Sequence, residues 1–298
     1  MGMVRDAIIL AGGRGTRMLP ASLFVPKEMM PMVDTPILNH LIWEAAKAGV
    51  EKIHIVVSEK KQRILSLFNE EKIWEDEGLG RDDLPNYSLT MGLDGLEIIT
   101  HVQPLAGGGG DAISVAIGEI NGPFLVLLGD NLLIKEHVGP LESGPTHASG
   151  ASLALVERHK ETGLACVGVS EVIEEETSKF GCIEFEGRRV SRIVEKPEAS
   201  MAPSNFVLCG RYLLPSNSAE ILEKLPLEDY GELQSISLLE YLIDNAGLEA
   251  VKMEGYQMYD SGDPVSWLKS QIDHSLRRGD LGGEFRNWVR NLLNGTQE

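Results

Sequence analysis

The chain has 298 residues, 43% hydrophobic and 24% charged, a balance typical of an ordinary globular protein with a sizeable core. Its 45 acidic residues outnumber the 27 lysines and arginines, which gives a formal net charge of −18. Such a charge excludes general binding to nucleic-acid backbones and to anionic membranes. Apolar runs such as Phe124–Leu128 are too short to span a bilayer, and Met1 leads into a strand-like run without the apolar core of a signal peptide. We therefore predict a soluble, cytoplasmic protein with no nucleic-acid and no membrane partner.

The first half of the chain predicts alternating strands and helices. A short continuous apolar run over 7–11 is typical of a strand buried on both faces, and further strands are predicted over 53–57, 96–102 and 124–128. Between them, apolar residues recur at helical spacing over 37–47, 60–68 and 111–117, and Gly49 is a natural stop for the first of these helices. This order predicts a doubly wound α/β sheet. Residues 70–95 are polar and acidic, and we expect an irregular insertion there.

After about residue 150 the pattern changes to strands with few helices between them. The predicted strands cover 151–157, 164–169, 182–185, 190–194 and 206–214. We expect them to add antiparallel or mixed strands to the same sheet. The remaining predictions are a polar loop at 226–231 and helices over 233–245, 264–278 and 282–293.

Neither the cysteines nor the histidines show the spacing of a metal site or a nucleophilic catalyst. Cys166, Cys182 and Cys209 are scattered without a CxxC pair and are interpreted as reduced core residues. Four of the histidines show no ligand spacing and are interpreted as ordinary: His54, His101, His137 and His159.

A glycine loop directly follows the first predicted strand, at the edge where α/β sheets bind ligands. It consists of Ala11-Gly12-Gly13-Arg14-Gly15-Thr16-Arg17. Glycines let the backbone approach a phosphate closely, and successive N–H groups form an anion-binding nest. The loop lacks the Gly-Lys-Ser/Thr of a Walker motif, and Met18 replaces the third glycine of a dinucleotide fingerprint. Arg14, Arg17 and Lys27 instead concentrate positive charge around the loop, in an otherwise acidic chain.

Carboxylates at the ends of strands predict a metal site. Asp130 follows the buried strand 124–128. Its carboxylate offers the hard oxygen ligands that Mg²⁺ prefers, and an ion bound there would also take oxygen ligands from phosphates. Glu195 and Lys196 lie at the end of another strand, where Pro197 imposes an extended backbone.

These motifs resemble those of the sugar-1-phosphate nucleotidylyltransferases. The resemblance is carried by Leu10–Pro20, Pro26–Pro36, Val194–Pro197, Ala202–Asn205, Gly210–Tyr212 and Leu281–Phe285. It covers essentially the whole chain, and the Pro-Lys-Glu-Met run at 26–29 is most similar to the bacterial-type UTP–glucose-1-phosphate uridylyltransferases. The implied fold is a Rossmann-like mixed sheet flanked by helices, of the nucleotide-diphospho-sugar transferase type. The implied catalytic domain covers 1–262, with a nucleotide-binding half (1–130) and a sugar-phosphate-binding half (131–262), and helices over 263–298 follow it.

The resemblance implies an enzyme that transfers a uridylyl group from UTP to glucose 1-phosphate, giving UDP-glucose and pyrophosphate, with Mg²⁺ as cofactor. Both substrates are anionic, so positioning and charge neutralisation should dominate catalysis. The implied catalytic residues are Arg17, Lys27 and Lys196. The implied nucleotide-binding residues are Ala11, Gly12, Gly13, Gly15, Thr16, Gln103 and Gly108. The residues implied to bind the sugar phosphate are Gly181, Glu195 and Lys196. Asp130 and Asp260 are implied to bind the metal. Asp263 is interpreted as the cap of the helix that Pro264 opens.

The segment after Gln103 departs from the family pattern. Gly107, Gly109 and Asp111 stand where the uridylyltransferases carry a lysine, a bulkier residue and a histidine. We expect a looser loop here, with Asp111 either adding a negative charge or capping a helix. The departure leaves dTTP as an alternative to UTP, and another hexose 1-phosphate as an alternative to glucose 1-phosphate.

A catalytically silent homologue that binds a nucleotide sugar is the alternative from another class. The presence of all five charged residues implied in catalysis or metal binding argues against it. The C-terminal helices carry large apolar residues that pack either on the core or at a subunit interface. Because such enzymes are generally oligomeric, the resemblance implies a homo-oligomer, either a dimer or a tetramer.

Overall fold

A computed structural model describes residues 2–61, 64, 95–105, 107–140, 142–225 and 233–295. Most of the predicted helix at 60–68, nearly all of the predicted insertion at 70–95 and all of the predicted loop at 226–231 lie outside the described residues. Within them, no helix is long and apolar enough to cross a membrane.

The described residues contain strands and helices throughout. The strands are β1 (Asp6–Leu10), β2 (Pro31–Met32), β3 (Thr35–Pro36), β4 (Lys52–Ser58), β5 (Glu97–Gln103), β6 (Phe124–Leu128), β7 (Asn131–Ile134), β8 (Ala165–Glu171), β9 (Gly181–Glu186), β10 (Arg189–Glu195), β11 (Phe206–Leu214), β12 (Leu248–Lys252) and β13 (Gln257–Asp260). The α-helices are α1 (Ala21–Phe24), α2 (Ile37–Lys47), α3 (Gly108–Ile117), α4 (Ala151–Thr162), α5 (Ser218–Leu222), α6 (Ser235–Asn245), α7 (Pro264–Arg277) and α8 (Gly282–Leu293).

Nine of these strands form one mixed sheet in the order β5-β4-β1-β6-β11-β8-β12-β10-β9. Strands β5, β4, β1 and β6 are parallel, whereas β11 pairs antiparallel with both β6 and β8. Apolar side chains cover both faces of the sheet, with α2 and α4 against one face and α3 and α6 against the other. The sheet confirms the predicted α/β class and the added antiparallel strands.

Residues 151–157 are helical, so the strand predicted there is wrong. Helix α4 begins after Gly150 and ends at Gly163, which adopts the left-handed conformation (φ 75°) that glycine tolerates best. Its buried residues Ala151, Leu155 and His159 are four apart, which is the spacing of one helix face. Over the seven residues predicted as a strand the apolar pattern fits either period, and the helical period is evident only over the full twelve residues.

The parallel pairing of β1 with β6 brings their carboxyl ends to one edge of the sheet. Leu10 lies opposite Leu128, so the glycine loop and Asp130 leave the sheet side by side. Gly129 is required between them, because a Cβ at this position would collide with the Leu10 carbonyl. The ribbon formed by β7 and β13 then places Asp260 opposite Asn131, the residue after Asp130.

Candidate active site

A cleft of about 510 Å³ opens at this edge of the sheet. The sequence-predicted residues that line it are Arg17, Asp130, Gly181, Glu195, Lys196 and Asp260. They come from the loop after β1, the end of β6, both ends of the β9–β10 hairpin and the end of β13. The cleft thus combines residues that are more than 200 positions apart in the chain.

Lys27 lies beside the cleft and is mostly buried against Asp130, one of the lining residues. Pro26 leads into a short 3-10 turn over Lys27–Met29, and the Lys27 ammonium forms an ion pair with the Asp130 carboxylate. Burial alone would raise the pKa of Asp130, but Lys27 and then Arg17 outweigh it and hold this pKa below its usual value. Burial alone would lower the pKa of Lys27, but Asp130 and Glu28 raise it overall. Both groups are therefore ionised at neutral pH.

Asp260 is held close to Asp130 by hydrogen bonds between their strands. The Ser261 N–H and hydroxyl donate to the Asp130 carbonyl oxygen at 2.9 and 3.0 Å. The Gly262 N–H donates to Asp260 Oδ1 at 2.7 Å. Burial raises the pKa of Asp260, and the negative charge of Asp130 adds to this effect. A raised pKa caused partly by a neighbouring carboxylate indicates a place where a cation would be stabilised.

The glycine loop brings Arg17 to the cleft. Gly15 has a left-handed backbone (φ 64°) and leads into a 3-10 turn over Thr16–Met18. The Ser22 hydroxyl fixes this turn by donating to the Gly15 carbonyl oxygen at 2.8 Å. A Cβ at Gly262 would lie only 2.7 Å from an Arg17 guanidinium nitrogen, so the two segments are in close contact. Arg17 therefore lies beside the aspartates in the cleft.

Glu195 and Lys196 form the opposite wall. The Lys196 backbone is left-handed (φ 42°), an unfavourable conformation for a lysine, and its N–H donates to the Phe180 carbonyl oxygen at 3.1 Å. A Cβ at Gly181 would lie 3.0 Å from Glu195 Oε2, so glycine allows this carboxylate to lie against the backbone. The Lys196 ammonium lies 3.2 Å from Glu195 Oε1, and both side chains remain about half exposed. They are available to a ligand in the cleft.

Comparison with known proteins agrees with this geometry. The family model described as nucleotidyl transferase matches residues 6–274. The chain is 34% identical over 300 residues to the UTP–glucose-1-phosphate uridylyltransferase of Staphylococcus haemolyticus, with 98% of this chain and 99% of that protein covered.

Solved structures give the same result. The UDP-glucose pyrophosphorylase of Acinetobacter baumannii superposes with a TM-score of 0.81 at 28% identity, over 97% of this chain and all of that one. The UTP-bound UGPase from the same organism gives 0.79 at 29% identity, over the same shares of the two chains. The chain belongs to the nucleotidyl transferase family.

The two aspartates of this nucleotidyl transferase fit a divalent metal ion, which enzymes of the family generally use. Asp130 and Asp260 supply hard carboxylate oxygens to one cleft, and such oxygens are the preferred ligands of small divalent cations. Asp263, three residues after Asp260, caps α7 through the Val265 and Ser266 N–H groups, both at 3.0 Å. Its predicted structural role is confirmed.

The base-reading candidate Gln103 does not line the cleft itself but contacts Gly108, the neighbour of the lining residue Gly109. Its side chain is buried beside Gly12, where a Cβ would lie 2.9 Å from Gln103 Oε1. The Gln103 NH₂ group donates to Asp111 Oδ2 at 2.5 Å and to the Gly108 carbonyl oxygen at 3.3 Å. Because its donors are occupied, the Oε1 acceptor is the part of the Gln103 amide left for a ligand.

The looser loop predicted at the four glycines is wrong. Gly108, Gly109 and Gly110 form the first turn of α3, with Gly107 as its N-cap, so Asp111 lies inside the helix rather than capping it. A Cβ at Gly108 would lie 2.6 Å from the Leu233 carbonyl oxygen. The glycines therefore allow the helix start to pack closely on the segment before α6, which the sequence alone does not show.

Two buried ion pairs that the sequence analysis did not assign support the site. Lys61 donates to both Glu28 oxygens, at 2.7 and 2.9 Å, and to the Ala11 carbonyl oxygen at 3.0 Å, directly beneath the glycine loop. Arg211 makes a bidentate pair with Glu44, at 2.7 and 2.9 Å, and donates to the Asn131 carbonyl oxygen beside Asp130. Glu28 and Arg211 lie within the motifs that carry the resemblance, and this position is the sequence signal that could have pointed to them.

Proposed function

We propose that this nucleotidyl transferase makes UDP-glucose and pyrophosphate from UTP and glucose 1-phosphate. The observation that carries the proposal is the cleft itself, in which Arg17, two aspartates and the Glu195–Lys196 corner face one space. The identity of 34% to a uridylyltransferase over nearly the full length of both chains supports the choice of substrates. The chemistry is direct attack of a sugar-phosphate oxygen on the α-phosphate, with pyrophosphate as the leaving group.

The first half of the chain would bind the triphosphate. Arg17 can make a bidentate contact with phosphate oxygens, and Lys27 adds a second fixed positive charge. The backbone N–H groups from Gly12 to Thr16 would surround the phosphates, with Gly12 and Gly13 allowing their close approach. This preorganised positive charge stabilises the negative charge that spreads over the α-phosphate during transfer.

The second half of the chain would hold the sugar phosphate. Lys196 would pair with its phosphate, and Glu195 would accept hydrogen bonds from glucose hydroxyls beside Gly181. The strained backbone at Lys196 supports a functional role for the residue, since strain of this kind persists where a site requires it.

Mg²⁺ is the cation we propose for Asp130 and Asp260. When bound, it would take oxygen ligands from both the aspartates and the phosphates, and its charge would offset part of the phosphate charge. Lys27 would keep the Asp130 carboxylate ionised, because its positive charge lowers the pKa of Asp130.

The C-terminal helices support a homo-oligomer. Large apolar side chains lie exposed on α7 and α8: Val265, Leu268, Ile272, Trp288 and Leu292. A dimer or tetramer would remove these side chains from water, and light scattering would measure the mass.

The test is pyrophosphate release with glucose 1-phosphate, Mg²⁺ and each of UTP, dTTP, CTP, ATP and GTP in turn. Release with UTP alone, and UDP-glucose as the product, would support the proposal. A preference for dTTP would keep the mechanism and change the nucleotide, and activity only with another hexose 1-phosphate would change the sugar. No release with any pair would support the silent, nucleotide-sugar-binding alternative.

A further inference from the structure

Two histidines form a buried pair away from the cleft. His54 lies on β4 and His101 on the parallel neighbour β5, and the pairing of these strands brings residues 47 positions apart into contact. His54 Nδ1 and His101 Nε2 share a hydrogen bond at 2.9 Å, with 5.2 Å between the ring centroids and 26° between the ring planes. His54 is fully buried and His101 is 9% exposed. Catalysis at the cleft uses neither histidine.

Asp6 fixes the orientation of the inner histidine. Its Oδ1 lies 3.2 Å from His54 Nε2, and a carboxylate oxygen can only accept, so His54 donates its Nε2–H to Asp6. The lone pair of the neutral ring is then on Nδ1 and faces His101. A carboxylate behind a histidine is the arrangement that orients histidine ligands in metal sites.

Glu119 completes a set of three possible ligands. One ring nitrogen of His54, one of His101 and one carboxylate oxygen of Glu119 all lie within 4.8 Å of one another. Burial, and then His54, lower the pKa of His101, so its imidazole is neutral at neutral pH. In a tetrahedral site with zinc–nitrogen bonds of about 2.05 Å, the two ring nitrogens would be about 3.3 Å apart. The rings therefore need to separate by about 0.4 Å and to turn until both nitrogens face the ion instead of each other.

We propose that His54, His101 and Glu119 bind one divalent transition-metal ion of the Zn²⁺ class, with Asp6 orienting His54. Two imidazoles and one carboxylate are ligands that Zn²⁺ favours, whereas Mg²⁺ prefers oxygen alone. Water completes the coordination on the side of the exposed Glu119. The ion would connect β4, β5 and the end of α3. Gln103 ends β5 and Gly108 begins α3, and both residues are predicted to bind the nucleotide. The ion would therefore make the elements that carry these two residues more rigid.

The test uses the full-length protein, stripped of metal with a chelator and dialysed, without substrates. Zn²⁺ affinity is measured by competition with a chromophoric chelator, in excess Mg²⁺ to occupy the carboxylate site. Co²⁺, whose visible spectrum reports tetrahedral coordination, is the second probe. We expect one Zn²⁺ per chain, a tetrahedral Co²⁺ spectrum and a Tm that rises with Zn²⁺. Asp130→Asn, which alters the carboxylate site, should give the same Zn²⁺ stoichiometry and the same Co²⁺ spectrum.

The variants locate the ion. His101→Gln should abolish the site, and Glu119→Gln, an exposed change that does not disturb the core, should weaken Zn²⁺ binding by about 10- to 100-fold. His147→Gln is the matched control and should bind as the wild type does. Absence of a stoichiometric Zn²⁺ site in the wild type would overturn the proposal. Unchanged affinity in Glu119→Gln, or equal loss in His147→Gln, would also overturn it. None of these outcomes depends on the proposed transferase activity.

Discussion

Replacement of Lys61 by methionine tests how the glycine loop is supported. Lys61 is the partner of Glu28, which is fully buried, and it also donates to the Ala11 carbonyl oxygen. Burial raises the pKa of Glu28, and Lys61 opposes that effect. Lys61→Met removes the positive charge while keeping most of the side-chain volume. It therefore leaves a buried carboxylate without its counter-charge.

We expect Lys61→Met to lower the free energy of unfolding by about 3–5 kcal/mol, the usual cost of breaking one side of a buried pair. For a chain of this length that corresponds to a fall in Tm of roughly 5–8 °C. The double variant Glu28→Gln/Lys61→Met removes both charges and should recover more than half of the loss. Urea unfolding followed by circular dichroism measures all three proteins.

The pH dependence of Lys61→Met gives a second readout with a defined sign. A carboxyl whose native pKa is raised above its unfolded value stabilises the native state below the unfolded pKa, and this contribution is lost as pH rises through the native pKa. Without Lys61 the pKa of Glu28 rises further. The deficit of the variant should therefore shrink from about pH 8 to about pH 5. A deficit below about 1 kcal/mol, or one that is equal at both ends of this range, would refute the reasoning.

Substitutions at three further residues, Asp111, Lys196 and Lys27, test their proposed roles in and around the cleft. Asp111 accepts a hydrogen bond from the Gln103 NH₂ group and so orients Gln103 Oε1 as an acceptor for uracil N3–H. Asp111→Ala removes this charge-assisted hydrogen bond, which is worth about 1.5–3 kcal/mol, and should reduce the preference for UTP over CTP about tenfold or more. Asp111→Asn, which keeps an acceptor, should retain most of the preference, and an unchanged kcat/KM ratio in Asp111→Ala would contradict the role. Lys196→Ala should raise KM for glucose 1-phosphate at least about tenfold and KM for UTP less than about twofold; parallel changes would count against its assignment. Lys27→Met should lower kcat by about 10²–10³-fold in a pyrophosphate assay, and near-normal turnover would remove it from catalysis.

Local patterns predicted the elements whose signals are contained within a few residues. The strand predicted at 206–214 and the helix at 37–47 have the bounds that the structure shows for β11 and α2. Continuous apolar runs and glycine stops depend only on neighbouring residues, which explains this success. The error at α4 arose because a short apolar stretch fits both helix and strand periods. Strands β7, β12 and β13 were missed because each has at most three consecutive apolar residues, whereas β1 and β6 have four or more.

Contacts between distant segments could not be predicted from the sequence. Lys61 reaches Glu28 only because β4 ends beside the loop after β1, and His54 meets His101 only through the pairing of β4 with β5. Sequence spacing suggested that these histidines were ordinary. The family motifs did identify Arg17, Glu195 and Lys196. The end of the strand 124–128 identified Asp130, and the resemblance implied Asp260. All five residues line one space. Motifs identify residues that a site needs, whereas the fold decides what each of them touches.

The most direct test of the proposed transferase is UDP-glucose formation by the wild type and by Asp130→Asn, followed by ³¹P NMR with UTP, glucose 1-phosphate and Mg²⁺. We predict equimolar UDP-glucose and pyrophosphate from the wild type. Asp130→Asn should give neither product while retaining a folded circular dichroism spectrum. UDP-glucose formation by Asp130→Asn at a rate near that of the wild type, or none by the wild type, would contradict the account.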